Sequence, residues 1–537
     1  MVASPTAPAP SAWAPLRVAA FRTLWIAQLF SLIGTWMQTV AAQWLLVDEP
    51  NAPTLVGLVQ TAAMLPTLAL ALPAGALADI VDRRRLLIVV QLFQVVVGVG
   101  LVVLAVAGLL PPAVLLTATF LLGIGTTLTI PAYQALVGEL VGRAHMRSAS
   151  ALTGVAMNLA RAVGPAIAGL LISSLGVAPV FALNALSYVA MAVALLVVRP
   201  PPASEALLPE RFTSALVAGT RFVRHSPVVR RMLLHTLFFV VPGAALWALL
   251  PLVASASLGL DATGYGLLLG ALGIGAVLGA AVLPRIVALL SPNRLVLASS
   301  LVFGAATAVA AAAPSLAVVL VALVPAGAGW LCMLATMNGA LQVFLPAWVR
   351  ARGLSIYQMV FAGGQALASV AWGALAQGFG LFPALLAAAG LLAAGAVSVA
   401  VWPLRDVSGL DRESAIYWPE PHLEVEPELE DGPVLVTVTY TVLPENMARF
   451  LDAMGPVRRM KLRTGATSFA IFRDGADPHR FVEVSEYPNW AEHLRQHGGR
   501  LTGHDRALER AAAACAEGRP EIQHLLPPTS AVSRWME

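Results

Sequence analysis

Residues 73–85 read PAGALADIVDRRR, and they decide the fold. Asp79, Asp82 and three consecutive arginines, Arg83, Arg84 and Arg85, stand between two long apolar runs, 54–78 and 86–109. Each run supplies the ~20 apolar residues that a helix needs to cross ~30 Å of hydrocarbon. A short charged turn between two such runs is a loop at a membrane surface. Working outward, runs of the same length fall at 24–47, 112–136, 148–174 and 177–198. After a polar segment they resume at 231–258, 263–289, 294–313, 315–341, 350–378 and 380–402. The count is twelve spans, in two sets of six.

Composition agrees. The 537 residues are 58% hydrophobic and 12% charged, with a mean hydropathy of +0.78. A soluble domain carries about 25% charged residues. The net charge of +4 does not imply nucleic acid, because the arginines punctuate apolar runs instead of forming one basic face. The expected partner is the lipid bilayer. Two cysteines, Cys332 and Cys515, are too few for a disulfide framework or metal site, and no cofactor is expected. Residues 1–20 are Pro/Ala-rich and read as a disordered lead without the marks of a signal peptide.

The loops orient the chain. Arg83, Arg84 and Arg85 follow the second span, and Arg143 and Arg147 the fourth. Arg211, Arg221, Arg224, Arg230 and Arg231 lie in the central segment, Arg285 and Arg294 flank the loop after the eighth span, and Arg350 and Arg352 follow the tenth. The alternate loops hold Asp48, Glu49 and Asp261 instead. Basic loops stay on the cytoplasmic side, so both termini are expected there, in a bacterial inner membrane. Residues 21–199 and 231–403 form the two six-helix bundles. The linker between them, 200–230, contains an amphipathic helix expected on the membrane surface. Two bundles joined this way place a substrate site between halves, near the midplane.

The stretch from Gly75 to Arg85 resembles the signature loop of the major facilitator superfamily, although Ile80 and Asp82 depart from its pattern. The resemblance implies a conformational latch, with Gly75 as the packing residue, Asp79 as the acid, and Arg83 and Arg84 as its basic partners. In the fifth span, the segment from Asn158 through Gly164, Pro165 and Gly169 is similar to the Gly-Pro motif of exporters in that superfamily, with Ala160 replacing an upstream glycine. Pro165 removes a backbone hydrogen bond and kinks the helix. The flanking glycines permit close packing. The opening 21–46, the loop above and a soluble tail together resemble the bacterial transmembrane secretion effector subgroup, which includes the enterobactin exporter. That resemblance implies efflux of a small amphipathic molecule (a siderophore, drug or metabolite) by proton antiport.

Polar side chains inside hydrocarbon need a reason. Gln28, Thr35 and Gln38 share one face of the first span, Asn158 and Arg161 lie on the fifth, and Gln358 and Gln365 align on the eleventh. These are the expected substrate pathway. Arg161 stands out, because a lipid-facing Arg in mid-span costs ~2.5–3.5 kcal/mol or more. It must therefore meet an anion or a carbonyl clamp. No span carries a central carboxylate for proton coupling, which leaves Asp48, Glu49, Glu139 and His235, all near helix ends, as candidates.

From residue 404 the chain turns charged. An acidic linker, 404–433, precedes a domain at 434–537 whose strand and helix signals follow a ferredoxin-like order. It resembles the small dimeric barrels of the antibiotic-biosynthesis monooxygenase group. Its histidines His479, His493, His497 and His504 form no tight ligand motif, so no metal is expected. Regulation or dimerisation is the expected role of the tail. Proton-coupled uptake and a membrane-tethered enzyme are the alternatives to export. The chain has no GxxxxGK[ST] loop for ATP, and an enzyme is not the favoured reading.

Overall fold

The computed structural model describes residues 13–198, 212–313, 315–404, 410–411, 415 and 427–527. Most of the lead, the Pro-rich start of the central linker and most of the acidic linker lie outside these residues. The helices are α1 (Ala19–Leu45), α2 (Ala52–Ile80), α3 (Arg83–Val106), α4 (Pro112–Leu175), α5 (Ala178–Val197), α6 (Phe212–His225) and α7 (Pro227–Leu252). They continue with α8 (Ala262–Leu289), α9 (Pro292–Ala312), α10 (Leu316–Phe344), α11 (Ala347–Phe379) and α12 (Leu381–Val401).

α4 is two spans joined end to end. Gly142, at φ 67° and ψ 172°, breaks it in a backbone region open to glycine at no steric cost. Its arms, Pro112–Gly142 and Ser148–Leu175, are the expected fourth and fifth spans. Among the described residues, 11 helical segments are long and apolar enough to cross a membrane. α1, at 27 residues, has the length, but Gln28, Ser31, Thr35, Gln38 and Gln43 dilute its apolar character. The fold is an all-helical membrane protein with a small sheet domain at its C-terminal end.

Small residues hold the two bundles in backbone contact. A Cβ on Gly169 would lie 2.5 Å from the Ala262 carbonyl oxygen, and one on Gly266 would lie 2.6 Å from that of Pro165. The second arm of α4 thus packs on α8 closely enough to exclude any side chain. α2 and α11 meet similarly, where a Cβ on Gly57 would lie 2.5 Å from the Ser369 oxygen and Thr61 Oγ1 donates to Ala366 O at 2.6 Å. Lipid is as apolar as these helices, so such dispersion contacts carry the association. Both pairings fall toward the end whose loops hold Asp48 and Asp261. There Tyr265 donates to Gln43 Oε1 at 2.6 Å and Ser173 to Asp261 Oδ2 at 3.0 Å. Asp261 also caps α8. The Gly264 N–H, followed by Ser173 and Thr263, outweighs burial and holds its carboxyl below the ordinary carboxylate range.

A second compact unit combines α6, residues 339–354 and the tail. In the tail, β1 (Val434–Thr441), α13 (Met447–Thr464), β2 (Ser468–Arg473), β3 (Arg480–Tyr487), α14 (Trp490–Arg495), α15 (Gly503–Ala513) and β4 (Glu517–Leu525) follow in order. The four strands pair antiparallel as β2-β3-β1-β4, the ferredoxin-like arrangement expected from the element order. β1 alternates as its sequence does: Val434, Val436, Val438 and Tyr440 are buried with Phe450, Met454 and Trp490 in one core.

The amphipathic helix α6 departs from expectation. Its apolar Phe222 is 2% exposed, edge-on to Trp348 at 5.7 Å, with the Arg463 guanidinium 5.4 Å above its ring. Arg221 donates to the Gly465 carbonyl at the end of α13. The face expected on a membrane surface is buried in protein, because α13 and Trp348 give it an apolar partner.

Candidate transport cavity and the charged helix ends

A cavity of about 230 Å³ opens inside the first bundle. α1 supplies Thr35, Trp36 and Gln38, α2 supplies Gln60 and Met64, the two arms of α4 supply Thr126, Met157 and Arg161, and α5 supplies Asn184 and Tyr188. Arg161 is the one charged residue in the lining. Its guanidinium lies 5.5 Å from the centre of the Trp36 ring. Its Nε is buried with no acceptor among the described residues, so no carbonyl clamps that nitrogen. Gly164 makes this geometry possible: a Cβ there would lie 2.8 Å from the Trp36 Cβ, so only glycine lets α1 bring Trp36 under the arginine. Trp36 in turn sits 6.0 Å from Trp247 of α7, which packs on Trp330 at 5.4 Å.

The polar wall is partly self-satisfied. Asn184 Nδ2 donates to Gln38 Oε1 and to the Tyr188 hydroxyl at 3.2 Å. Gln38 Nε2 remains buried without a partner. Gln60, Asn184 and Tyr188 were not singled out by the sequence. Their helices carry too few polar residues to show a stripe.

Of the expected pathway residues, Thr35, Gln38 and Arg161 line the cavity and four do not. Asn158 turns its amide back to the Gly154 carbonyl at 2.9 Å. Met157 and Arg161, four residues apart, share the lining face, which leaves Asn158 beside it. Gln28 is half-buried two turns from Thr35, Gln358 is exposed, and Gln365 is buried in α11, outside a cavity built from first-bundle helices. Pro165 and Gly169 lie on the α8 contact.

The arginine loop ties helix ends together. Arg83 pairs with the Glu139 carboxylate of α4 and donates through Nε to Ala78 O at 3.2 Å. Arg84 donates to the Leu195 and Leu196 carbonyls at 2.6 and 2.8 Å, occupying acceptors left open at the end of α5. Asp82 accepts the Arg85 N–H at 2.7 Å and caps α3. Asp79 lies in α2, but its side chain is outside the described residues. A Cβ on Gly75 would meet no described atom within 4 Å, so Gly75 makes no close helix contact in this conformation. The other coupling candidates are dispersed. Asp48 is exposed and Glu49 half-buried at the end of α1, while buried His235 contacts Trp402 O through Nε2 at 2.8 Å.

The tail brings His493 and His497, one helical turn apart, together with His524, which spacing did not predict. His493 Nε2 lies 3.2 Å from His497 Nε2 and 3.1 Å from His524 Nε2, a row centred on His493. Burial first, then the charges of His497 and His524, pushes His493 down to about 2. Burial, with Lys461 next, brings His497 to about 3. Among the described residues no three His, Cys, Asp or Glu side chains are grouped to hold a metal ion. Lys461, the chain's one lysine, is buried against Glu509 at 2.9 Å and Glu483 at 4.0 Å.

Comparison with known proteins agrees with this architecture. The bacterial homologue of the lysosomal transporter Spinster, in an inward-facing unoccupied conformation, superposes with a TM-score of 0.55 at 14% identity, over 72% of this chain and 95% of that one. The nucleoside transporter NupG gives 0.57 at 13%, over 71% and 98%. In sequence, the staphyloferrin A transporter of Staphylococcus aureus is 24% identical over 278 residues, 51% of this chain and 69% of that protein. The enterobactin exporter EntS of Shigella boydii is 29% identical over 289 residues, 52% and 67%. The transmembrane secretion effector family matches residues 10–531, and the chain belongs to that family of multi-pass membrane transporters.

Proposed function

We propose that the chain exports a small amphipathic molecule across the bacterial inner membrane by alternating access, with both termini in the cytoplasm and inward proton flow as the driving force. The observation that supports this most is the cavity of the first bundle. It is a largely apolar pocket with a few polar groups in its wall, at mid-span depth, with bundle-to-bundle contacts concentrated toward the Asp261 end. In this reading the contacts of Gly169 with α8 and of Gly57 with α11 seal the outer side while cargo enters from the cytoplasm. Separation of those backbones then opens the cavity outward. Cargo of the siderophore class is consistent with the names of the staphyloferrin A and enterobactin relatives.

For coupling, we favour Glu139. Of the four candidates it alone is both partly buried and paired with the arginine loop, at 23% side-chain exposure. Protonation would release Arg83 and free the ends of α2, α3 and α4 to move. Everted vesicles test the reading. Uphill accumulation of a siderophore or dye that collapses with a protonophore is the expected result; accumulation sustained by ATP alone would contradict it. The tail acts as a regulatory or dimerising element in this reading. Efflux retained after deletion of residues 404–537 is the expected result, and loss of efflux with membrane insertion intact would reassign the activity to the tail.

A further inference from the structure

We infer that the cavity recognises its cargo through a negative charge, with Arg161 as the anion-binding group and Trp36 as the platform that aims it. The cargo class is an organic anion: a carboxylate or comparably acidic oxygen attached to an apolar, preferably flat, body. The inference rests on the export reading for the word cargo, and on the cavity alone for the chemistry.

Position along the helix sets the problem. Arg161 is 13 residues from Ser148 and 14 from Leu175, the ends of the fifth span, so its Cα lies about 20 Å from either end at 1.5 Å per residue. A cation that deep needs a counter-charge or a set of acceptors. Neither is present among the described residues. The lining contains no Asp or Glu, and Arg161 Nε is buried without an acceptor. Trp36 offers its ring face, which orients the guanidinium but provides no anion. The other unsatisfied buried atom in the lining, Gln38 Nε2, is also a donor. Both unsatisfied atoms at the cavity wall are therefore donors, whose complement is an acceptor-rich anion. Around them Leu32, Met64, Leu122 and Met157 provide apolar wall for the body that carries it. Planar, forked guanidinium matches carboxylate geometry in two parallel hydrogen bonds.

The test uses the full chain in lipid nanodiscs and three probes of one shape: 2-naphthoate, its uncharged carboxamide, and 2-naphthylmethylammonium. Equilibrium dialysis should show naphthoate binding at least about tenfold tighter than the amide, as for one charge-assisted contact in a dry site, with the ammonium weakest. Arg161→Gln should erase the difference between naphthoate and amide, and Arg161→Lys should keep part of it. Equal binding of naphthoate and amide by the unmodified protein would overturn the proposal without recourse to any variant. So would competition by millimolar chloride as strong as that by naphthoate, which would make the site one for inorganic anions. Counterflow in proteoliposomes separates this proposal from the function it rests on. Charge-selective binding without flux retains the anion site and removes transport; flux of amide and ammonium indifferent to Arg161→Gln retains transport and removes the anion site.

Discussion

Arg83 reaches across 56 positions of chain to pair with Glu139, joining the turn between α2 and α3 to the end of the first arm of α4. Both partners are part-exposed, at 31% and 23%, so the pair contributes at most ~1 kcal/mol to folding. Its expected role is conformational. Glu139→Gln should leave the melting temperature within a few degrees while removing gradient-driven accumulation and slowing the remaining exchange severalfold at an unchanged half-saturating concentration. Initial-rate kinetics in proteoliposomes check this; a change confined to the half-saturating concentration would argue against a latch.

The Gly169–Ala262 contact leaves no room for a side chain. Gly169→Ala should strain the closed packing of the fifth span on α8, by ~1–3 kcal/mol for an overpacked site. The variant should expose a cysteine placed at Thr263 to maleimide faster than the same cysteine in an otherwise unmodified chain. Unchanged labelling would mean that the helices adjust without separating.

Phe222 fastens α6 to the tail through Trp348 and Arg463. Phe222→Ala removes a buried ring, at a cost of ~3–5 kcal/mol where neighbours cannot collapse. Amide exchange in α6 and in the last turn of α13 should accelerate while β1 stays protected. Faster exchange in β1 as well would indicate that the whole tail had unfolded.

The histidine row makes the tail acid-sensitive. His493 titrates near its ordinary value, about 6.5, when unfolded and at about 2 when folded. The unfolded chain thus binds more protons between those values, and stability falls as pH drops below about 6.5. At pH 5, His493 alone should cost ~2 kcal/mol (1.5 pH units at 1.36 kcal/mol each). Thermal melts of the tail's Trp490 signal at pH 7.5 and 5 should separate, and His493→Phe should narrow the gap. Coincident melts at the two pH values would contradict the burial of His493.

How far these features were legible follows from periodicity. Span count came from length and polarity, which the sequence carries directly, and the tail order came from strand alternation in 434–442 and 480–488. Arg161 was visible because a charge in mid-span must be either paired or clamped. Its choice between an anion and a carbonyl clamp depended on packing that only coordinates supply. Asn158 shares a side of the helix with Arg161, but its amide is taken up by the Gly154 carbonyl, a local bond that spacing does not reveal. His524 was overlooked because it sits on a strand 31 positions from His493, and sheet pairing, not spacing, brings them together. The burial of Phe222 was hidden for the same reason, since hydrophobic periodicity marks an apolar face but does not name what covers it.

Alternating access requires that the Arg161 cavity open to the two sides of the membrane in turn. A cysteine at Thr35, in a chain whose buried Cys332 and Cys515 are replaced by Ser, reads this with a membrane-impermeant maleimide. Labelling is expected from the cytoplasmic face at rest, in everted vesicles, and from the outer face of intact cells only while cargo and a proton gradient are present. Outer-face labelling that is constant, or absent under every condition, would contradict it.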